Sequence, residues 1–413
     1  MRRRRFDRTL LVNVAALLTF GILTLYSAGQ TDVPTVAAEI WRRQAVWLLL
    51  GIVGVIAAFR FSPRLLEWAT PMIYWVAVLL LVLTLVVGTG AGTAAATKSW
   101  LAIGGVRVGQ PAELAKLATV LMLARHLGGR REPPATLTEL LPSVVIVGLP
   151  FILVGLQPDL GSAIVFLGVL VAALYWAGVR IRLMVLLFSP LVSLLLAFST
   201  VSWAVWIVLL TALLLWVRPY VLEGTIIWGA NVSMGVIALS LWRTLAPYQQ
   251  NRLLSFLNPE LDPRATGWHI IQSKVAIGSG GLLGKGFTEG TQKRLAFLPE
   301  QHTDFIFSVV GEEFGFVGAL IVLGLFAWLT LTIVRVARYA TDGFSSMLAI
   351  GSVGVLLTHV LVNVGMTVGL MPIVGIPLPL FSYGGSFLLT TLVMMGLVAR
   401  VAWESRSSGY AEV

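Results

Sequence analysis

The chain has 413 residues, of which 57% are hydrophobic and only 12% are charged. Soluble domains carry about 25% charged residues, so this composition excludes an ordinary soluble protein and indicates a chain of apolar membrane spans. The absence of cysteine excludes disulfides, thiolate catalysis and cysteine-based metal sites. A net charge of +10 would suggest nucleic acid in a soluble protein, but here it is expected to orient the chain in a membrane, with no nucleic-acid partner.

Twelve apolar runs follow one another along the chain, and each is predicted to be a helix. They lie at residues 9–28, 44–59, 69–88, 112–124, 140–156, 161–179, 183–199, 201–217, 225–242, 305–334, 345–370 and 379–399. The fourth run is short and begins with charged residues, which is typical of a half-span or of a segment that lines a cavity. The pattern predicts an all-α polytopic integral membrane protein with about 10 to 12 transmembrane helices, as a single membrane domain over residues 1–413.

Lysine and arginine are concentrated in the N-terminal arm and in alternate loops. These basic residues are Arg2–Arg5, Arg60, Arg64, Arg125, Arg130, Arg131, Arg180, Arg182, Arg218, Arg335, Arg338, Arg400 and Arg406. Because cytoplasmic loops carry the excess of positive charge, both termini are predicted to be cytoplasmic. No Ala-x-Ala-type cleavage site follows the first run, so it is interpreted as a retained span.

The segment 243–304 is the longest polar stretch and is predicted to be a large extracytoplasmic loop. It is rich in Gly, Pro and Asn, but interleaved apolar residues argue against disorder and predict short amphipathic helices on the membrane surface. Its basic residues suit an enzyme that acts on an anionic lipid head group. The Gly-rich stretch 278–286 has neither the Walker spacing nor a preceding strand, so a nucleotide site is rejected.

Acidic residues run directly into an apolar span after the motif Leu298–Phe307. An ionisable group inside a span costs about 2.5–3.5 kcal/mol, so such a group indicates function. Asp304, at the outer mouth of the helix, is interpreted either as a helix N-cap or as a reactive carboxylate, and the two roles can coexist. Of Glu312 and Glu313, which lie deeper, one is predicted to pair inside the bundle.

Two further polar clusters interrupt the apolar pattern. In the first, Glu113 and Lys116 are spaced i, i+3 on one helix face, which favours either a structural ion pair or a catalytic role. Trp100, just before them, is either an interfacial anchor or a platform for a sugar face. In the second, Asp159 either caps a helix at a turn or binds substrate. Arg43, at the outer end of the second span, is either a snorkelling arginine or a ligand for a lipid diphosphate.

Several motifs occur in consistent order over nearly the whole chain. They are Trp100–Lys116, Gln157–Gly161, Gln272–Gly281, Gly284–Gly286, Gly290–Gln292, Phe297–Phe307, Asn363–Gly365 and Pro377–Ser386. Together they resemble the signature of the SEDS family of peptidoglycan polymerases (shape, elongation, division and sporulation), in its elongation-type branch. Three departures stand out: Ala112 replaces a common serine, Ser99 replaces a common basic residue, and the segment 183–243 holds three runs where one is expected, hence a possible extra helix pair.

The resemblance implies a glycosyltransferase that polymerises lipid II into glycan strands on the outer face of the bacterial cytoplasmic membrane during cell elongation. It implies Asp304 as the general base, with inversion at the anomeric carbon. The residues assigned to substrate binding are Arg43, Trp100, Glu113, Lys116, Asp159, Gln272, Lys274 and Lys285. No complete metal shell is visible in the sequence, so the only cofactor considered is a divalent cation, Mg or Mn, at the leaving diphosphate.

The implied partners are lipid II, the glycan strand on undecaprenyl diphosphate, a class B penicillin-binding protein transpeptidase and other membrane proteins of the elongation complex. Two functions other than polymerisation are alternatives for this sequence. A lipid II flippase would also have buried acids and polar breaks, but it should carry polar groups spread to the inner leaflet, and few are found. A non-catalytic scaffold for a penicillin-binding protein predicts that Asp304 can be replaced without loss of function.

Overall fold

The structure is a computed structural model that describes residues 7–32, 36–90, 98–103, 106–217, 220–244, 250, 266–295, 297, 298 and 300–407. Each of the twelve predicted apolar runs overlaps a helix. The long helices are α1 (Arg8–Ala28), α2 (Ile40–Arg60), α3 (Pro63–Val87), α4 (Pro111–Gly128), α5 (Leu137–Leu156), α6 (Leu160–Trp176), α7 (Ile181–Leu196), α8 (Thr200–Val217), α9 (Val221–Thr244), α10 (Thr266–Ser279), α12 (Ile306–Arg338), α13 (Gly343–Thr367) and α14 (Gly385–Ser407). Two short helical turns are α11 (Thr291–Arg294) and a 3-10 helix (Val36–Glu39).

Among the described residues, nine helices are long and apolar enough to cross a membrane: α1, α2, α3, α5, α8, α9, α12, α13 and α14. Helices α6 and α7 are apolar but shorter, with 17 and 16 residues. The fourth run forms α4, which is an 18-residue helix with most of its side chains buried. The all-α polytopic prediction is therefore confirmed.

Helix α4 lies at the centre of the bundle, packed against α3, α5, α6 and α13. Its alanines, at positions 112, 115, 118 and 124, are buried and let neighbouring backbones approach closely. This central position explains why charged residues at its start are tolerated, since they are enclosed by protein rather than by lipid.

Polar contacts define two opposite ends of the bundle. At one end, here called the basic end, Arg335 Nη2 lies 3.1 Å from the Asp7 carboxylate and Arg130 Nη2 lies 3.0 Å from Glu139. The opposite end, here called the loop end, carries the segment 266–305 and the connection 368–384 between α13 and α14. The predicted basic residues Arg2–Arg5 and Arg218, and the loop residues Arg252, Asn258–Pro263 and Arg264, lie outside the described residues.

The helices predicted in the large loop include α10 and α11. One face of α10 is buried through Ile270, Ser273 and Ala276, while Lys274 and Val275 are exposed. Ser273 Oγ lies 2.7 Å from Ser308 Oγ and donates to the carbonyl of Thr367 at 2.6 Å. The loop is thus attached to α12 and to the end of α13.

A break in α12 is filled by the Gly-rich stretch 280–286. At Gly315 the backbone leaves the helical region, with φ of 64° and ψ of −161°. Two amides just after Gly315 donate to carbonyls of the stretch at 2.9 and 3.1 Å, and two carbonyls just before it accept from amides of the stretch at 3.0 and 3.1 Å. Since unsatisfied backbone groups are costly in a membrane, the stretch replaces the helical bonds that the break removes.

The segment 183–243 forms three helices, α7 to α9, which share a small apolar cluster of their own. A polar seam joins them: the buried Asn231 amide donates to Ser189 Oγ at 2.8 Å and accepts from Trp206 Nε1 at 3.0 Å. An open groove of about 550 Å³ separates α8 from α9 near their connection. That two of these helices are additional to the family pattern remains a prediction.

A small antiparallel hairpin, not predicted from the sequence, precedes α4. Strand β1 (Leu101–Ile103) pairs with β2 (Val106–Gly109). Trp100 extends it through backbone hydrogen bonds with Thr89, of 2.8 and 3.1 Å. The hairpin connects α3 to α4 at the loop end.

Candidate active site

The candidate site lies at the loop end, where four chain segments meet. They are the residues 298–305 that lead into α12, the connection 368–384 between α13 and α14, and the beginnings of α4 and α6. Asp304, Glu113 and Asp159, which the sequence analysis named as candidates, lie on three of these segments.

Asp304 is partly exposed, and it is not the N-cap of α12. The N-cap position is held by Phe305, without a side-chain capping bond. The Asp304 carboxylate lies beside the backbone of Gly375, where an added Cβ would be 3.3 Å from Asp304 Oδ2. Gly375 has φ of 70°, a conformation that favours glycine. The turn at Gly375 therefore leaves room for the carboxylate.

Asn363 of α13 holds two carbonyls at once. Its Nδ2 donates to the Asp304 carbonyl at 3.0 Å and to the Ile376 carbonyl at 2.7 Å. One amide group thus joins the residue before α12 to the connection 368–384. Both ends of this bridge are backbone atoms, so the bridge positions the main chain that carries Asp304.

The C-terminal part of the same connection is attached to the segment before α12. Ser382 Oγ donates to the Thr303 carbonyl at 2.5 Å, and the Tyr383 amide donates to the His302 carbonyl at 2.9 Å. The buried Gln44 of α2 donates to the Ser382 carbonyl at 3.1 Å. Arg43, its neighbour, is exposed. Arg43 is therefore an exposed residue one position before Gln44, which holds this connection.

Of the two roles that the sequence left open for Asp159, the structure shows the helix cap, and substrate binding stays a prediction. Its Oδ1 accepts from the Ser162 amide at 3.0 Å and so caps α6, while its Oδ2 accepts from Gln110 Nε2 at 2.7 Å. Gly161, two residues on, packs against Val374 and Ile376, where an added Cβ would lie 2.5 Å from each. The segment 374–376 is thus bounded by the start of α6 on one side and by Asp304 on another.

The predicted pair of Glu113 and Lys116 forms a buried ion pair of 2.7 Å. Lys116 Nζ also lies 3.2 Å from His359 Nε2, and His359 Nδ1 lies 2.9 Å from the Pro377 carbonyl. The three side chains are 5%, 2% and 0% exposed. This chain of buried contacts therefore reaches the connection 368–384 from inside the bundle, at the Pro377 carbonyl.

The remaining predicted binding residues surround this centre. Lys274 of α10 is exposed and its side chain lies over Gly369, at the start of the connection after α13. Gln272, on the same helix, is half-buried. Trp100 is partly exposed beside the hairpin that leads into α4.

Lys285 lies at the α12 break. Its Nζ is 2.8 Å from Glu312 Oε1 and donates to Thr291 Oγ1 at 2.8 Å. The next glutamate, Glu313, forms a buried ion pair with Lys293 of α11. One of the two glutamates was predicted to pair inside the bundle, and in the structure both Glu312 and Glu313 form ion pairs. Burial lowers the pKa of Lys293, an effect opposed by its hydrogen bond with Glu313 and by the charges of both glutamates.

In the part of the chain that the structure describes, no group of three or more His, Asp or Glu residues is placed to hold a metal ion. The divalent cation considered from the sequence therefore stays a prediction.

Sequence reasoning assigned no catalytic or binding role to His359, Asn363 or Gln110. The available signal was polarity inside or beside an apolar run, since polar groups at membrane depth are costly. His359 and Asn363 are also four residues apart, which puts both on one helix face. Their partners lie on other elements, which no local pattern identifies.

Comparison with known proteins places this architecture in a family. The family model described as "Cell cycle protein" (FtsW, RodA and SpoVE) matches residues 8–208 and 198–407. The peptidoglycan glycosyltransferase RodA of Treponema pallidum is 37% identical, covering 96% of this chain and 97% of its own. The peptidoglycan glycosyltransferase MrdB of Escherichia coli K12 is 35% identical, covering 96% and 93%.

Solved structures agree with these relatives. The crystal structure of the rod shape determining protein RodA of Thermus thermophilus has a TM-score of 0.62 and 29% identity, covering 97% of this chain and 98% of that one. A chain of a peptidoglycan synthase complex, solved for the coordination of polymerization and crosslinking, has a TM-score of 0.69 and 30% identity over 97% and 98%.

Proposed function

The chain belongs to the FtsW, RodA and SpoVE family, and on this premise we propose that it is a peptidoglycan glycosyltransferase that polymerises lipid II during cell elongation. The observation that carries the proposal is the position of Asp304. Asp304 is partly exposed at the loop end, while its main chain is held by Asn363. A carboxylate that is both accessible and positioned is what a general base requires.

In the proposed reaction, the 4-hydroxyl of the incoming lipid II attacks the anomeric carbon of the growing strand. The new glycosidic bond forms as the bond to the undecaprenyl diphosphate breaks. Asp304 accepts the proton of the attacking hydroxyl, which contributes about 10²–10⁴-fold to the rate. A single displacement with one base and no covalent intermediate inverts the anomeric configuration.

The leaving diphosphate needs positive charge. Lys116 and Lys285 are already paired with Glu113 and Glu312, whereas Arg43 and Lys274 are exposed at the loop end. Arg43 and Lys274 are therefore the preferred ligands for the diphosphate, and a divalent cation, Mg²⁺ or Mn²⁺, would supply further positive charge if bound there. Trp100 and Gln272 are assigned to the sugar and peptide portions of the substrates.

The orientation follows from the charge of the two ends. The basic end faces the cytoplasm together with both termini, and the loop end faces outward across the bacterial cytoplasmic membrane. A class B penicillin-binding protein is the proposed partner, supported by the likeness to a chain of a complex that coordinates polymerization with crosslinking. Other elongation-complex membrane proteins belong to the same proposal.

The test is a polymerisation assay with purified protein, its cognate penicillin-binding protein and lipid II. Asp304→Asn should abolish glycan ladders while the protein stays folded and bound to its partner. Asp32→Asn is the matched control, because Asp32 is an exposed aspartate of the same end, 3.2 Å from Arg294. Unchanged ladders with Asp304→Asn would exclude it as the base and point to Asp159 or Glu113 instead. Lipid II movement across liposomes without any ladder would favour a flippase.

A further inference from the structure

We propose that His359 is a positioning residue of the active site: it holds the carbonyl of Pro377 so that the turn at Gly375 presents the Asp304 carboxylate to the substrate hydroxyl. The inference rests on the proposed role of Asp304 as the base. It assigns a function in catalysis to a fully buried side chain that does not touch the substrate.

The two ring nitrogens of His359 have different partners, and these partners define the tautomer. The Pro377 carbonyl, 2.9 Å from Nδ1, can only accept a hydrogen bond, so Nδ1 carries the proton. In the neutral ring Nε2 then has a lone pair, which accepts from the Lys116 ammonium at 3.2 Å. The assignment follows from the hydrogen-bond partners.

Lys116 completes this arrangement from below. Its ammonium has three hydrogens, of which one is directed to Glu113 at 2.7 Å and one to His359. The Glu113 carboxylate compensates the charge of the Lys116 ammonium, which therefore acts as a donor inside the bundle. His359 is therefore kept as a donor toward Pro377.

Two consecutive residues of the connection are held from α13, and the residue before them lies against Asp304. The Pro377 carbonyl accepts from His359, the Ile376 carbonyl accepts from Asn363, and Gly375 lies against the Asp304 carboxylate. His359 and Asn363 are one helical turn apart, so a single rigid helix face fixes this segment. Asn363 also donates to the Asp304 carbonyl. The backbone next to Gly375 and the backbone of Asp304 are therefore both held by the same helix, α13.

The consequence for catalysis is geometric. Losing the Pro377 contact would free the turn at Gly375 to shift against Asp304. A misplacement of about 1 Å at a reacting group can lower the rate by about 100-fold. The His359 ring also packs against Phe387, with centroids 4.7 Å apart, so a large change of shape would disturb packing as well. The test must separate these two effects.

Two substitutions of His359 separate them. In His359→Asn the amide nitrogen takes the place of Nδ1 and can still donate to Pro377, but the acceptor for Lys116 is lost. In His359→Gln the amide reaches the position of Nε2 and can accept from Lys116, but the donor to Pro377 is displaced. Both variants remove the aromatic contact with Phe387.

The measurements are kcat and KM for lipid II, with the penicillin-binding protein present, and the thermal stability of each variant. His359→Asn should keep kcat within about 3-fold of wild type, and His359→Gln should lower it by about 10-fold or more with KM unchanged, since only positioning of the base is lost. Equal losses of kcat in both variants, matched by equal losses of stability, would show a purely structural role and overturn the proposal.

The proposed function fails in a different way. If Asp304→Asn abolishes polymerisation and His359→Gln leaves kcat unchanged, the base stands and the positioning role is wrong. If Asp304→Asn is fully active, Asp304 is not the base and the positioning role falls with it.

Discussion

Lys293 and Glu313 form a buried ion pair that joins the large loop to the break in α12. The Lys293 ammonium also donates to the Ser27 carbonyl at 2.7 Å, and Ser27 Oγ donates to both Glu313 oxygens at 2.6 and 2.7 Å. Helix α1, α11 and α12 are thus connected through one charge pair. The side chains of Lys293 and Glu313 are 1% and 0% exposed, so neither charge can be solvated if the other is removed.

Lys293→Ala should therefore destabilise the protein strongly. It leaves the Glu313 carboxylate buried without its counter-charge, and breaking a buried pair in this way typically costs about 3–5 kcal/mol. The measurement is thermal unfolding in detergent. The double variant Lys293→Met with Glu313→Leu should be more stable than Lys293→Ala, because it leaves no unpaired charge. A single variant as stable as wild type would show that water reaches Glu313 and that the pair does not secure the loop.

Asp159→Asn should separate capping from chemistry. Asn is as good an N-cap as Asp, so the hydrogen bond from the Ser162 amide is retained and stability should change by less than about 1 kcal/mol. Polymerisation should fall by about 10-fold or more, because Asp159 is predicted to bind substrate and an amide makes weaker hydrogen bonds than a carboxylate. If Asp159→Asn makes glycan at the wild-type rate, the function of Asp159 is limited to capping α6. Asp342→Asn is the matched control, since Asp342 caps α13 by accepting from the Ser345 amide at the basic end.

The outcome of sequence analysis differs between local and distant features. The pair of Glu113 and Lys116 was predicted because its spacing along a helix is a local property. The contact of Lys116 with His359 joins residues 243 positions apart, and composition and periodicity carry no trace of it. The helices were predictable because an apolar run in lipid has to satisfy its backbone hydrogen bonds internally, and a helix does so within one segment.

Other elements were missed for specific reasons. The hairpin of β1 and β2 has a Gly-Gly pair between short β-prone stretches, which is a hairpin signal, but the surrounding helical pattern obscured it. The N-cap interpretation of Asp304 failed because α12 begins two residues later, at Ile306. The purpose of the stretch 280–286 depends on the break at Gly315, about 30 residues further along the chain, which only the folded structure brings next to it.

The pH dependence of stability should include a contribution from His302. Burial lowers the pKa of His302 below its ordinary value of 6.5, and the nearby Glu300 carboxylate opposes this only in part. The unfolded chain then binds a proton at His302 in a range where the folded protein does not. Its contribution is fully present above pH 6.5 and is lost as the pH falls from there to the lowered pKa.

The measurement for His302 is the difference in thermal stability between wild type and His302→Gln from pH 8 to pH 5. The difference should be constant above about 6.5 and should change below it, in the direction that makes wild type relatively less stable in acid. A difference that stays flat over the whole range would mean that His302 has the same pKa in both states. The partial exposure of the ring limits the size of the effect.

Gly375→Ala should impair catalysis more than stability. The positive φ of 70° makes any side chain unfavourable by roughly 1–2 kcal/mol, and the new Cβ would lie 3.3 Å from Asp304 Oδ2. The carboxylate must therefore shift, and kcat for lipid II should fall by about 10-fold or more, with KM less affected. Steady-state polymerisation with the penicillin-binding partner present measures both constants.

Gly178→Ala is the matched control for Gly375→Ala. Gly178 has φ of 79°, so the backbone penalty is similar, but it lies after α6 at the basic end, where the nearest atom to an added Cβ is Pro133 Cγ at 3.3 Å. Both variants should lose comparable stability, and only Gly375→Ala should lose activity beyond what unfolding explains. If the two variants keep the same kcat, contact between Gly375 and Asp304 does not set the position of the proposed base, and the support from His359 and Asn363 would have to act elsewhere.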